Sequence, residues 1–436
     1  MNIEPNQSSK WKIPFFTIWT GQVFSLVGSR VLEFALVWWL TELTGSATVL
    51  ATATMMWVIP QVFLGPFAGA LVDRLNRRVV MIVADSLVAL FALWLAYLFW
   101  TGSIQLWHVY VGLLARSIGE SFHWPAMQAS TSLMVPEKHL TRVAGLNQTM
   151  NGALNVIGPP LGALLVKLFP FESIMLMDVA TALLAVAPLF FVHIPQPERA
   201  TPQPGDEGET GTSVSAIWSD VRQGLRYVWS WPGLFAVLII ATIINFIVNP
   251  AFSLMPLLVT DHFGGDALQL SWMESSWGIG LVLGGLLLSA WGGFRRRVTT
   301  SLIALIIEGV GITIVGLAPA NAIWMAVAAM FVGGAMNALV NGPLFALLQS
   351  IVTPDMQGRV FTVVMSMSSA AWPLSLAVAG PIADAVGVRP WFVVGGAVSA
   401  AVGLGAFFVP VIVNIEHNHN GHTVSEKEAT VAAARM

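Results

Sequence analysis

Apolar runs of about twenty residues or more recur from one end of the chain to the other, separated by short polar intervals carrying Gly, Pro and charged residues. A hydrocarbon core of ~30 Å needs about 20 helical residues to cross it, so each run reads as one span. Twelve spans are predicted, over 14–40, 46–72, 79–101, 105–127, 141–167, 173–194, 233–260, 270–294, 298–318, 322–350, 360–386 and 390–414. Between the sixth and seventh lies a longer polar interval, 195–232, whose first half (PQPERATPQPGDEGETG) is too rich in Pro and Gly for regular structure. Its second half repeats Trp218, Val221, Leu225, Val228 and Trp229 at helical spacing, with Asp220, Arg222, Gln223 and Arg226 on other faces. That pattern predicts an amphipathic helix, lying in the membrane interface or packed against the underside of the protein. The expected organisation is an N-terminal six-helix bundle (1–194), a cytoplasmic linker with an interfacial helix (195–232), a C-terminal six-helix bundle (233–414) and a disordered cytoplasmic tail (415–436).

Charge orients these spans. With the N-terminus inside, sixteen of the twenty Lys and Arg residues fall in cytoplasmic segments, Lys167 and Arg389 fall outside, and Arg30 and Arg116 lie within spans. Short loops rich in Lys and Arg stay on the cytoplasmic face, so both termini are expected on the cytoplasmic side of the membrane.

Composition agrees with the pattern and narrows the chemistry. The 436 residues are 56% hydrophobic and 10% charged, with mean hydropathy +0.74, more apolar surface than a water-soluble fold can hide. Cysteine is absent, which removes disulfides, thiolate catalysis and Cys-ligated metals. The polar N-terminus leads into an apolar run much longer than that of a signal peptide, so the first span is expected to be retained. The sequence has no GxxxxGK phosphate loop, HExxH or GxSxG, and neither an enzyme nor an ATP-driven pump is expected.

The two halves echo one another. Pro125 precedes Pro136 by eleven residues and Pro343 precedes Pro354 by eleven, at an offset of 218, half the chain. Each second proline leads an acidic residue and then Arg-Val: Glu137 and Arg142-Val143, then Asp355 and Arg359-Val360. The stretch Gly65 to Arg78, with its small Gly65-xxx-Gly69 pair and basic end, returns as Gly284 to Arg297. Repeats of this size point to a two-lobed transporter with its site between the lobes, near mid-membrane.

These residues resemble the major facilitator superfamily. Gly69-Ala70-Leu71-Val72-Asp73-Arg74-Leu75-Asn76-Arg77-Arg78 is similar to the family's loop signature after the second helix, with Asn76 where Gly is usual. That departure is mild, because Asn tolerates the left-handed backbone better than most residues. Leu113 to Gly119 resembles the fourth-helix motif, and Gly152 through Gly158-Pro159-Pro160-Leu161-Gly162 resembles the fifth-helix antiporter motif. The wording of IWTGQVFSLVGS, LTELTGSA, RSIGESFHWPA, MVPEKHLTRVAG and GRVFTVVMS is similar to bacterial macrolide-efflux and related drug:proton antiporters. The resemblance implies an all-α membrane protein with twelve transmembrane helices in two pseudo-symmetric six-helix bundles. It gives Arg116 a part in a proton relay and Gly158, Pro159 and Gly162 the task of sealing the lobes against proton leak. Gly69, Asp73, Arg74, Arg77 and Arg78 are expected to latch the cytoplasmic helix ends in one conformational state.

Candidate chemistry lies on polar stripes within the spans. Gln22, Ser25, Ser29 and Glu33 share one face of the first span, with Arg30 beside them. Either Glu33 exchanges a proton or Arg30 and Glu33 form a static pair. Arg116 and Glu120 have the spacing of an intrahelical ion pair, and His123 lies one turn beyond. Asn147, Asn151 and Asn155 form a period-four stripe, continued in kind by Asn245 and Asn249 and by Asn337 and Asn341; these amides line a wet cavity or join helices. Trp124, Trp272, Trp277 and Trp372 supply apolar surface suited to a large ligand or serve as anchors. The resemblance places spans three, six and nine on the outside of the scaffold, which ranks Asp85, Asp178 and Glu308 below Glu33. The tail from Glu416 to His422 reads as solvated sequence, and no metal site, cofactor or nucleic-acid partner is expected.

The expectation is a monomeric, proton-coupled exporter of small amphipathic drugs, macrolides foremost, working in the lipid bilayer by alternating access. An exporter of an endogenous metabolite such as a siderophore, and a passive channel or facilitator, are the alternatives.

Overall fold

The computed structural model describes residues 11–72, 75–192, 194 and 214–416. Asp73 and Arg74 of the loop signature, the Pro- and Gly-rich start of the linker and the tail beyond Glu416 lie outside the described residues. Among those described there is no strand.

Helices α1 (Lys12–Thr44), α2 (Ala47–Val72), α3 (Arg77–Trp100), α4 (Leu106–Met134), α5 (Glu137–Leu168) and α6 (Phe171–Phe191) correspond to the first six predicted spans. After α7 (Val214–Ser230) come α8 (Pro232–Ser253), α9 (Ala267–Trp291), α10 (Arg297–Leu317), α11 (Ile323–Ile351), α12 (Pro354–Val386) and α13 (Arg389–Ala406). Nine helices among the described residues are long and apolar enough to cross a bilayer. The helices α4 and α5, which carry polar stripes, and the short α13, which opens on Arg389, fall below that mark.

The described residues divide into two compact units. Unit 1 comprises α1 to α6 together with 253–275 and 376–386, and unit 2 comprises 211–252, 276–375 and 387 onward. Within unit 1, α1 packs on α5 and α6, α4 on α2 and α3, and α3 on α6; within unit 2, α10 packs on α11 and α13. The core of unit 2 takes in Val228 of α7, fully buried with Leu347, Leu348, Ile351, Val360 and Val363. Arg359 Nη1 also donates to Gln223 Oε1 at 2.9 Å. One face of α7 is therefore occupied by protein, while Trp229 stays exposed.

The sequence echo reappears as geometry inside each unit. Pro125 and Pro343 fall within α4 and α11, Pro136 caps α5 and Pro354 opens α12. At the start of α3, Arg77 Nη1 donates to the Ala129 carbonyl of α4 at 2.8 Å; at the start of α10, Arg297 Nη1 donates to the Ala346 carbonyl of α11 at 2.8 Å. The same residue type ties the same helix pair in both halves.

Asn76 differs from its expected backbone. Its φ is −70°, an ordinary extended conformation, and its side chain accepts from the backbone N–H groups of Arg78 (3.1 Å) and Val79 (3.4 Å). Asn stands here because it caps α3. Small residues four apart can let helices approach closely, but at Gly65 and Gly69 a Cβ would meet no described atom within 4 Å.

The N-terminus of α2 is capped from far along the chain. The Asp384 carboxylate, in the 376–386 part of α12, accepts from the backbone N–H groups of Ala47 (2.6 Å) and Thr48 (3.1 Å) and from Ser46 Oγ. Anionic oxygens satisfy exposed N–H groups at a helix start, where the helix dipole favours negative charge.

Candidate functional site

The stripe on α1 meets three other helices of unit 1. Gln22 Nε2 donates to Asp85 Oδ2 of α3 at 3.1 Å, and Asp85 Oδ1 lies 3.3 Å from His123 Nε2 of α4. That second contact is at ion-pair distance but off the axis of a hydrogen bond. Ser29 Oγ donates to Asp178 Oδ1 of α6 at 3.4 Å, and Arg116 Nη1 donates to the other oxygen, Oδ2, at 2.8 Å. The carboxylate facing Arg116 thus comes from α6, so this ion pair runs between helices and not along α4. Asp178 is buried in that contact, not set on the outside of the scaffold as its span suggested.

Arg30 and Glu33 form the expected local pair, Nη1 to Oε2 at 3.0 Å, with side chains 46% and 35% exposed within the protein. Their field reaches further: Arg30 and Arg116 both interact electrostatically with Glu120, Glu120 with Glu33, and Glu274 of α9 with Glu33 and Arg30. Two arginines therefore share one region of unit 1 with four carboxylates, those of Glu33, Glu120, Asp178 and Glu274. Glu274 was not singled out from sequence; a carboxylate early in an otherwise apolar span is the signal that marks it.

The proline-glycine motif of α5 packs on this stripe. A Cβ at Gly158 would lie 3.3 Å from Arg30 Cβ, and one at Gly162 would lie 3.0 Å from Phe34 Cβ. Small residues four apart here bring α5 against α1 at the charged site, with Pro159 and Pro160 inside the helix. Of the asparagines on α5, Asn147 Oδ1 accepts from Trp19 Nε1 of α1 at 2.8 Å, joining helices; Asn151 is half-buried and Asn155 exposed. The arginines of the loop signature bind helix ends within unit 1: Arg77 as above, and Arg78 through Nη2 to the Phe190 carbonyl of α6 at 2.6 Å.

The other four asparagines converge. Asn245 and Asn249 of α8 and Asn337 and Asn341 of α11 line one cavity of about 400 Å³ inside unit 2, walled by Phe252, Trp277 and Trp372 and by aliphatic side chains. Asn249 donates to Asn245 Oδ1 at 2.9 Å, Asn341 to Asn337 Oδ1 at 3.1 Å, and Asn337 to Glu308 Oε1 at 3.0 Å. A mostly apolar pocket of this size with a few convergent polar groups is the usual form of a site for a drug-sized molecule.

The comparisons with known proteins agree with this architecture. A family model described as Major Facilitator Superfamily matches residues 18–263 and 234–432. Macrolide efflux protein A of Streptococcus pyogenes is 33% identical over 389 residues, covering 89% of this chain and 94% of that protein. The protein of the same name from Enterococcus faecalis is 31% identical over 333 residues, 76% of this chain and 100% of its own length. Among solved structures, a POT family transporter in complex with a thioalcohol conjugated peptide superposes with a TM-score of 0.70 at 10% identity, covering 91% of this chain and 96% of that one. With the family matched along nearly its whole length, the chain belongs to the Major Facilitator Superfamily and is a transporter by family, not an enzyme.

Proposed function

We propose that this protein exports amphipathic drugs, macrolide-type antibiotics foremost, across the bacterial cytoplasmic membrane in exchange for protons. The observation that carries the coupling is the acid excess of unit 1, four carboxylates around Arg30 and Arg116. Isolated charges within a bilayer are costly, and an excess of carboxylates over cations there marks a site suited to proton exchange. Among the four, Glu33 is the candidate to exchange one, 35% exposed, paired with Arg30 and on the stripe that reaches Asp178. The cargo assignment is supported by the two macrolide efflux relatives and by the amide- and aromatic-lined cavity of unit 2. Both termini are assigned to the cytoplasm by the distribution of Lys and Arg, and the functional unit is the monomer.

The test is efflux of a macrolide from proteoliposomes under an imposed pH gradient. Wild-type protein should move the drug faster with the gradient than without it, and Glu33→Gln should uncouple transport from the gradient. Efflux indifferent to the gradient in wild type would refute proton coupling; full coupling in Glu33→Gln would remove Glu33 from the role.

A further inference from the structure

Glu308 is the one titratable side chain among those lining the unit 2 cavity. It is 6% exposed, and its only described hydrogen bond comes from the neutral amide of Asn337. Among the described residues no cationic side chain pairs with it. The helices around it explain why. No Asp, Glu, Lys, Arg or His occurs in α8 or α11. Three cations on neighbouring elements bind other groups: Arg297 the Ala346 carbonyl and Ser350, Arg389 the Gly316 carbonyl, and Arg359 the Gln223 side chain. Asn341 supports the site from behind, donating to both the carbonyl and the side-chain oxygen of Asn337 and so orienting the amide that faces Glu308.

Part of the cavity lining is aromatic and held in place. The rings of Phe252 and Trp277 meet edge to face at 4.6 Å, and the Trp277 indole lies against Gly333, where a Cβ would approach Cζ3 to 2.8 Å. Trp372 also lines the cavity. Aromatic faces attract cations, and most strongly where water is excluded. A buried carboxyl without a counter-charge either keeps its own proton or takes a positive charge from outside the protein, and an aromatic-walled space of drug-like size has room for the second.

We propose that Glu308 is the residue by which the cavity selects its cargo, and that the preferred ligand class is the amphipathic organic cation: its charge meets the Glu308 carboxylate and its apolar body packs on Phe252, Trp277 and Trp372. This rests on the reading of the unit 2 cavity as the drug site and does not depend on the direction or driving force of transport.

The test is equilibrium binding to the purified full chain with two probes of matched size and opposite charge, tetraphenylphosphonium and tetraphenylborate. Wild type should prefer the phosphonium. Glu308→Gln should weaken phosphonium binding by about thirtyfold or more, the loss expected on removing one partner of a desolvated charge pair, and Glu308→Asp should recover part of it. Unchanged phosphonium affinity in a Glu308→Gln protein with a normal thermal transition would overturn the assignment. Should that variant fail to fold, wild type supplies the second readout: tetraphenylphosphonium, and not tetraphenylborate, should protect Glu308 from dicyclohexylcarbodiimide, and equal labelling with and without the phosphonium refutes the proposal. Intact cation binding with efflux indifferent to a pH gradient would count against proton coupling alone. Gradient-driven efflux with Glu308→Gln binding the phosphonium normally would count against this inference alone.

Discussion

Arg116 on α4 and Asp178 on α6 form an ion pair of 2.8 Å, with their side chains 5% and 1% exposed, and Asp178 turns its second oxygen to Ser29 on α1. Three helices of unit 1 are thus joined through one carboxylate. Removing one member of a buried pair leaves the other charge stranded, at a cost of about 3–5 kcal/mol. Asp178→Asn should therefore lower the thermal transition of the purified protein sharply. Ser29→Ala, which removes only a long neutral contact, should lower it little. A small and equal effect of both would show that the pair contributes nothing to folding.

The α5 motif gives a steric prediction. Gly162→Leu would press a branched side chain into Phe34, itself buried and with Cβ, Cγ and Cδ1 all 3.0 Å from a Cβ at this position, and should reduce both folded yield and transport. Gly65→Leu places the same side chain where no described atom lies within 4 Å and should be tolerated. Comparing the two by size-exclusion profile after mild heating is enough; equal damage would contradict the packing.

Asn76 predicts a graded series. Because its side chain caps α3, Asn76→Ala should cost about 1 kcal/mol, Asn76→Asp or Asn76→Ser close to nothing, and Asn76→Gly only a few tenths of a kcal/mol. If the position instead required a left-handed backbone, Gly would be the best of the series, and thermal stability of the four variants distinguishes the two.

The span pattern was legible in the sequence because hydrophobic length is imposed by the bilayer and needs no knowledge of neighbours. The helices follow the predicted runs to within several residues, and the proline echo falls at equivalent places in both halves. Contacts were legible only where both members lie on one helix, as with Arg30 and Glu33. Arg116 illustrates the limit: spacing offered Glu120 four residues away, while the direct ion pair is made with Asp178, 62 residues on, which no local pattern reveals. Asn245, Asn249, Asn337 and Asn341 were identifiable as polar positions, but their convergence with Glu308 depends on how α8, α10 and α11 pack. The glycine pairs carry the same lesson, since Gly65-xxx-Gly69 and Gly158-xxx-Gly162 have the same spacing and only the second meets a facing helix.

The cap on α2 has a consequence for how the protein is made. Asp384 follows the backbone groups it binds by 336 and 337 residues. At about 5–20 residues per second, the ribosome reaches Asp384 on the order of tens of seconds after it has passed Ala47. Throughout that interval the N–H groups of Ala47 and Thr48 lack this partner, the start of α2 is held locally by Ser46, whose Oγ accepts from the Val49 N–H at 3.4 Å, and the carboxylate cap is added only when synthesis is nearly complete. The second helix of the protein is, in the order of its final hydrogen bonds, among the last to be finished.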